Sequence, residues 1–382
     1  MEQRIRFVVL ASRSARTFSA LCREFEISRP TGYKWLQRYR TAGGIEGLGE
    51  LSRRPHHSPA RTPAEIEERV ERSHQAHYGC GAKKLQVHLA QEEQLDLPVI
   101  TIHRILRRRG LLRQGDPAPA ARERFERAAP NELWQMDCKG PMGRGAAACV
   151  PLTVLDDHSR YVVSLTPLPG PQGKPVHEAL VQAFLIHGLP EAMLMDHGTP
   201  WWSTTNGYGL TWLSVALIEQ GIRLHWSGIR HPQTQGKVER FHRTLQEAID
   251  HIGLPARWDD WAPQLARFRQ YYNEQRPHQA LDMRPPASRY QPSPRPYQPK
   301  PAPWAYPEGA LVRRLSIHGC LSWGSRYYFV CEALAGRFVQ LDELDGKLLV
   351  RYRHMYVRQI DLRTRSTTPV VLPVSLSHQS QL

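Results

Sequence analysis

At 382 residues the chain is too long for one ordinary hydrophobic core and predicts two to four domains. A formal net charge of +15 and a pI near 9.8 favour an anionic partner, most commonly nucleic acid, although arginine bias from a GC-rich genome produces the same composition. Six scattered cysteines with no Cys-x-x-Cys pair argue against a disulfide framework or a four-cysteine zinc site. No apolar run reaches a membrane span and Met1-Glu-Gln-Arg-Ile-Arg lacks a secretory core, so a reduced cytosolic setting without a membrane is expected.

The first segment reads as helical. Thr17 to Phe25 is short and amphipathic, with Leu21 and Phe25 on one face. Ser28 is a good N-cap for the next helix, and Pro30 is tolerated in its first turn. That helix carries Tyr33, Trp35, Leu36 and Tyr39, and leaves Arg29, Thr31, Lys34 and Arg38 to face outward as candidate DNA contacts. Two short helices with a basic second member make a helix-turn-helix pattern, though an ordinary helical hairpin reads the same way without the charge.

A second helical block runs from Thr62 to Leu112. Thr62-Pro63-Ala64-Glu65 has capping-box spacing. Ile102, Ile105 and Leu106 sit at helical spacing before Arg107-Arg108-Arg109-Gly110, where Gly110 suits a C′ position. This block predicts a second helix-turn-helix, while the arginines could equally serve the helix dipole on a solvated face. His74, His77 and Cys80 resemble metal ligands, but no second close pair accompanies them and Gly79 and Gly81 break the helix, so zinc is not assigned to that set.

Residues 114–130 read as an Ala/Pro-rich linker. From Asn131 an α/β pattern follows: strands Leu133–Asp137, Cys149–Asp156 and Tyr161–Leu165, a helix near Val176–His187, strand Ala192–Met195, a helix near Thr211–Glu219, strand Arg223–Trp226, and a long helix from Gly236 through Ile249. Pro285 to Pro307 is proline-dense and predicts an extended, semi-rigid linker. Beyond it, Ala310–Leu315, Tyr327–Val330, Arg337–Leu341 and Lys347–Tyr352 form a small antiparallel β module, and residues past about Thr364 read as disordered.

Within this basic chain Asp137 and Asp196 end predicted strands, and Glu239 rides on the long helix. Carboxylates in a protein that meets a polyanion need a cation between them and the nucleic acid. Phosphodiester transfer needs an activated oxygen, a stabilised leaving oxygen and neutralised charge, which paired divalent ions on carboxylates supply. Asp156 and Asp157 fall in a predicted turn and are read as structural, with Asp156 near enough to the site to keep in view.

The order Trp134-Gln-Met-Asp137, Asp196-His-Gly-Thr-Pro-Trp201, then His231-Pro-Gln-Thr-Gln-Gly-Lys-Val-Glu239-Arg-Phe-His242 resembles the integrase core of bacterial insertion-sequence transposases, DDE enzymes related to retroviral integrases. His77-Tyr-Gly-Cys-Gly-Ala-Lys-Lys-Leu85 is similar to the segment preceding such cores, and Tyr271-Tyr-Asn-Glu-Gln-Arg-Pro-His278 to the one ending them. The residue patterns give helix-turn-helix domains at 1–58 and 59–113, a linker at 114–130, a proline-rich linker at 291–306 and a disordered tail at 364–382. The β module at 307–363 resembles the small C-terminal β-barrels of integrases. The resemblance to the integrase core covers roughly residues 131–290 and implies an RNase H-like α/β core with a mixed sheet there.

It further implies that Asp137, Asp196 and Glu239 are catalytic and hold two Mg²⁺ ions, with Mn²⁺ able to substitute, and that Lys237 and Arg243 contact DNA. His197 stands where the family often has Asn, and Gln246 stands where it commonly has a basic residue. The implied activity is binding of double-stranded DNA at terminal inverted repeats, then hydrolysis and strand transfer into target DNA by a homodimer or higher oligomer at the bacterial nucleoid. The alternative is a catalytically inactive DNA-binding regulator derived from such an enzyme.

Overall fold

Two hydroxyl caps organise the first of the chain's two units, Met1–Pro63. The Thr17 side chain accepts from the Ala20 amide ahead of α2 (Phe18–Glu24), and Ser28 accepts from Thr31 ahead of α3 (Arg29–Ala42). A preceding helix, α1 (Glu2–Arg13), completes a three-helix cluster that the sequence reading did not delimit. Its Phe7 is fully buried and meets the rings of Phe18, Phe25 and Trp35 edge-on. Gly32 lets α3 approach closely, since a Cβ there would lie 2.8 Å from the Phe7 ring. Tyr33 departs from the expected core, being exposed and stacked on Phe18. Arg29 and Lys34 are exposed, while Thr31 and Arg38 are half-buried.

The computed structural model describes residues 1–13, 16–50, 61–112, 125–203, 209–227 and 236–371; most of the linker expected at 114–130 lies outside them. The second unit, Ala64–Leu382, begins with α4 (Ala64–Ala76), α5 (Ala82–Glu93) and α6 (Val99–Arg108) around Val70, Leu85, Leu89, Ile102 and Ile105. Gly110 follows α6 at φ +70°, as its C′ role requires. The adjacent arginines turn inward: Arg108 and Arg109 both pair with buried Glu67, and Arg109 also reaches Glu71. They hold α6 to α4.

The α/β core is a five-stranded mixed sheet of order β3-β2-β1-β4-β7. Strands β1 (Trp134–Cys138), β2 (Val150–Asp156) and β3 (Val162–Leu168) run antiparallel, while β4 (Ala192–Met195) and β7 (Arg223–Trp226) continue parallel to β1. A short hairpin, β5 (Trp202–Ser203) and β6 (Gly209–Leu210), leaves the loop after β4. Helices α7 (Gly173–His187) and α8 (Trp212–Glu219) pack with Trp134, Met136, Leu152 and Val154 on one face. On the opposite face α9 (Gly236–Ile252) and α10 (Trp261–Glu274) pack with Leu155, Val162 and Leu165. The period-two alternation along β1 and β2 therefore separates two cores.

After α10 the chain does not run as a free spacer. Tyr290 stacks on Tyr161 at 4.1 Å, Ser293 and Arg295 exchange backbone bonds with His187 and Leu189, and the Arg295 guanidinium caps Pro190 and Gly221. The proline-rich segment is thus a strap across the core. Proline density fixes its extended shape, and the donors of Ser293 and Arg295 decide that it is bound.

Beyond the strap, β8 (Val312–Arg314), β11 (Phe338–Leu344), β12 (Lys347–Tyr352), β13 (Met355–Asp361) and β14 (Thr367–Pro369) form an antiparallel sheet of order β14-β13-β12-β11-β8. A separate hairpin, β9 (Cys320–Trp323) with β10 (Arg326–Phe329), packs beside it. The expected small barrel is therefore a sheet plus hairpin. Its last strand corrects the expected tail, because Thr367–Pro369 pairs with Arg358–Ile360. The module shares a hydrophobic core with α8, and Tyr352 and Arg353 both bond to Glu219.

Candidate metal centre

Strand register alone brings two of the expected carboxylates together. Trp134 lies opposite Met193 and Gln135 opposite Leu194 in the parallel β1–β4 pair. Continuing that register by two residues sets Asp137 opposite Asp196, about one strand spacing (~4.8 Å) away. Since Trp134 and Met136 fill the α7 side, alternation turns Asp137 to the α9 side. Glu239 stands in the first turn of α9, where a carboxylate is also favoured by the helix dipole.

The electrostatics agree with convergence. Burial first, then the nearby charges of Asp196 and Glu239, push the Asp137 carboxyl up to about 7 against a lowering hydrogen bond from the Cys138 backbone. Around it the donors are few. His242, one turn after Glu239, brings Nδ1 to 3.7 Å from Asp137 Oδ2, while its Nε2 shares a 3.0 Å hydrogen bond with Thr153 Oγ1. Thr153 is the cross-strand partner of Asp137, so His242 spans that pair. Burial, then the charge of Lys139, holds the His242 imidazole down to about 4, so it is neutral near pH 7 and does not offset the carboxylates.

Asp196 is anchored rather than neutralised. Its Oδ1 accepts from the Gly198 amide at 2.9 Å and from the Trp201 indole at 2.7 Å. A Cβ on Gly198 would meet both Asp196 oxygens at 3.0 Å, which accounts for glycine there. His197 turns away: it sits edge-on to Trp202 at 4.9 Å and bonds to the Ser227 backbone. The residues that sequence reasoning missed are therefore Trp201 and His242. Both stood in the quoted motifs, but only their spatial partners reveal the role.

Asp156 and Asp157 occupy the other end of β1. Asp156 pairs with Trp134, three residues before Asp137 and so ~10 Å along the strand. It accepts from the Asn131 and Ser159 amides and the Ser159 hydroxyl. Asp157 accepts from the Arg127 amide, from Gln135 Nε2 and from the Lys237 ammonium. Lys237, expected on DNA, lies over the Phe125 ring at 4.4 Å with that ion pair beneath it. Arg243 is exposed, and Gln246 instead bonds Asp250 along the helix.

The tyrosine-rich end of α10 meets the His77–Leu85 segment. Arg276 donates to the Tyr78 and Gly79 carbonyls at 3.0 and 2.9 Å and to Cys80 Sγ at 3.2 Å. Two motifs almost two hundred positions apart are therefore one joint. Their role is to fix the helical module against the core.

Three family descriptions match the chain: an integrase core domain over residues 220–286, a homeodomain-like domain over 31–106 and a helix-turn-helix domain over 3–56. The chain is 28% identical over 170 residues to an uncharacterized 31.7 kDa protein of insertion element IS407 from Burkholderia multivorans, covering 42% of this chain and 55% of that one. It is 28% identical over 167 residues to an uncharacterized 39.2 kDa protein of insertion element IS476 from Xanthomonas euvesicatoria, covering 41% and 44%. The chain thus spans about half the length of these relatives. A solved HTLV-2 integrase catalytic core domain in complex with magnesium is 15% identical, covering 43% of this chain and 99% of that one, with a TM-score of 0.34. The matches to helix-turn-helix domains and an integrase core domain, together with the insertion-element relatives, make the chain similar to bacterial insertion-sequence transposases of the integrase-core type.

Proposed function

We propose that the chain is a DNA transposase that binds the terminal inverted repeats of its own element and joins the element's ends to target DNA by metal-dependent phosphodiester hydrolysis and strand transfer. The observation that carries this reading is the convergence of three carboxylates: the β1–β4 register sets Asp137 beside Asp196, and Glu239 in the first turn of α9 acts on the same carboxyl, with no lysine or arginine partner among the described residues. An all-oxygen set of three carboxylates fits a hard divalent cation such as Mg²⁺, with Mn²⁺ a substitute. Held by Asp137, Asp196 and Glu239, two such ions would supply charge neutralisation and an activated oxygen at the scissile phosphodiester.

The chain's own residues set that geometry. Trp201 and Gly198 fix one oxygen of Asp196 and leave Oδ2 for a ligand. His242 walls the site beside Asp137, and the proton held on Asp137 near neutral pH must leave before both its oxygens can ligate. The exposure of Arg243, one turn beyond Glu239, supports reading it as a DNA phosphate contact. The exposed Arg29 and Lys34 of α3, with Thr31 and Arg38, are the candidate contacts of the helix-turn-helix unit. Holding two element ends requires at least two protomers, and work on chromosomal DNA sets the reaction in the bacterial cytoplasm. No helix among the described residues is long and apolar enough to cross a membrane.

The test uses purified chain, Mg²⁺ and labelled element-end DNA, comparing wild type with Glu239→Gln. End cleavage and strand transfer by wild type, reduced on the order of 1,000-fold in the variant, is the expected result. Equal transfer by both proteins overturns the site. End binding by wild type without any transfer favours the regulator.

A further inference from the structure

A second cluster of ligand-type side chains lies at the corner between α4 and α5. His77 follows α4, and His88 and Glu92 stand one turn apart on α5, where i,i+4 spacing gives them a common face. His77 Nε2 is 2.9 Å from Glu92 Oε2, and His88 Nδ1 is 3.0 Å from Glu92 Oε1. One ligand atom from each of the three residues falls within 4.8 Å of the others. Both imidazoles are buried and Glu92 is exposed. Beside His88 and Glu92 opens a cavity of about 370 Å³, bounded across from them by Glu274, Met283 and Arg284.

We propose that His77, His88 and Glu92 form a second metal site, separate from the carboxylate triad, that takes a borderline transition ion of the Zn²⁺ class with an open position toward the cavity. The donor set decides the class. Two imidazoles and one carboxylate suit Zn²⁺ or Co²⁺, whereas Mg²⁺ prefers oxygen ligands and keeps its waters. The cavity beside His88 and Glu92 provides an entry path and room for a further ligand. Without an ion the Glu92 carboxylate bridges the same two nitrogens. The rings are then stacked 3.6 Å apart and only 7° from parallel, so coordination tilts one against the other.

This ligand set differs from the His74–His77–Cys80 spacing seen in the sequence. Only His77 is common to both, because Cys80 is turned to Arg276 and the Tyr271 hydroxyl. The ion would act as a pin. Tyr271 of α10 stacks on His77 at 5.8 Å and on His88 at 6.4 Å, so tightening the corner tightens the joint between the helical module and the core.

The test is an ion count on the full-length untagged chain carrying Asp137→Asn, Asp196→Asn and Glu239→Gln, so that any bound ion belongs to the corner. Co²⁺ serves as a spectroscopic stand-in, followed by displacement with Zn²⁺. The expected result is one equivalent of Co²⁺ with visible ligand-field absorption, displaced by Zn²⁺, and binding more than ~100-fold weaker in His88→Ala and in Glu92→Gln. Glu92→Gln keeps the shape and hydrogen-bonding capacity of the corner, so loss of the ion there is not loss of the fold. The same titration of wild type in excess Mg²⁺ gives the count independently of the triad substitutions. Absence of a bound equivalent in both backgrounds, or undiminished binding in both corner variants, overturns the site, whatever the outcome of the strand-transfer assay.

Discussion

The β1–β2 pair carries two acidic clusters of opposite character. At one end Asp156 and Asp157 are fully buried, and every carboxylate oxygen meets an amide, hydroxyl or ammonium donor. At the other, Asp137 is only 23% exposed and yet faces Asp196 and Glu239, with a neutral imidazole as its flank. The first cluster is a completed polar network that closes the turn and ties down the linker end and α9. The second concentrates negative charge that no lysine or arginine among the described residues pairs with. Acidity is common to both; the convergence of three carboxylates with no ammonium or guanidinium partner among the described residues distinguishes the one suited to a cation.

The largest effect expected from that contrast is on chemistry. Asp196→Asn should cut strand transfer on the order of 1,000-fold in a labelled-DNA assay while leaving the urea midpoint unchanged or raised. Asp157→Asn should do the reverse. Weakening the buried pair with Lys237 is expected to cost ~3 kcal/mol in urea unfolding, with transfer retained at permissive temperature. If Asp157→Asn abolished transfer at full stability, the two clusters would not be functionally distinct.

Next in size is Trp201→Phe, which keeps the ring but removes the indole donor to Asp196. Metal affinity measured by calorimetry should fall ~10–100-fold, since an oriented ligand is lost without loss of charge. Unaltered affinity would show that the Gly198 amide suffices.

The pH dependence sharpens the comparison further. A carboxyl raised from 3.8 to about 7 costs the folded state nothing below its unfolded value, where both states are protonated. The cost grows as pH rises between the two values and is complete above about 7. Mg²⁺ should therefore raise the melting temperature more at pH 8 than at pH 5, and Asp137→Asn should remove most of that difference. A melting shift independent of pH would separate Asp137 from the ion. The smallest effect concerns DNA: Arg243→Ala should lower the salt slope of binding by about one, whereas Lys237→Ala should lower stability more than the slope.

Much of the fold was legible because each core strand and helix carries a clean period. Val150–Asp156 alternates between the two cores, and Ala192–Met195 and Arg223–Trp226 match the sequence reading residue for residue. The strap and β14 were not legible. What binds the strap is Arg295 reaching Gly221, 74 positions away, and what orders Thr367–Pro369 is the free edge of β13. Neither polarity nor proline content contains that information. Local context singles out the three motif carboxylates, whereas the ion partner of Lys237 lies 80 positions upstream and has no local signal.

The sequence by itself determined which residues are acidic, in what order, and at which ends of which elements they stand, because hydrophobic periodicity and turn chemistry are local. Tertiary structure decided which of those acids are satisfied. Apart from the local Ser159, the donors that complete Asp156 and Asp157 come from Asn131, Arg127, Gln135 and Lys237, between 22 and 80 positions distant. The parallel register that sets Asp137 beside Asp196 exists only once β1 and β4 pair. A carboxylate's capacity to take a cation depends on the donors around it in space, and those are a property of the packed sheet.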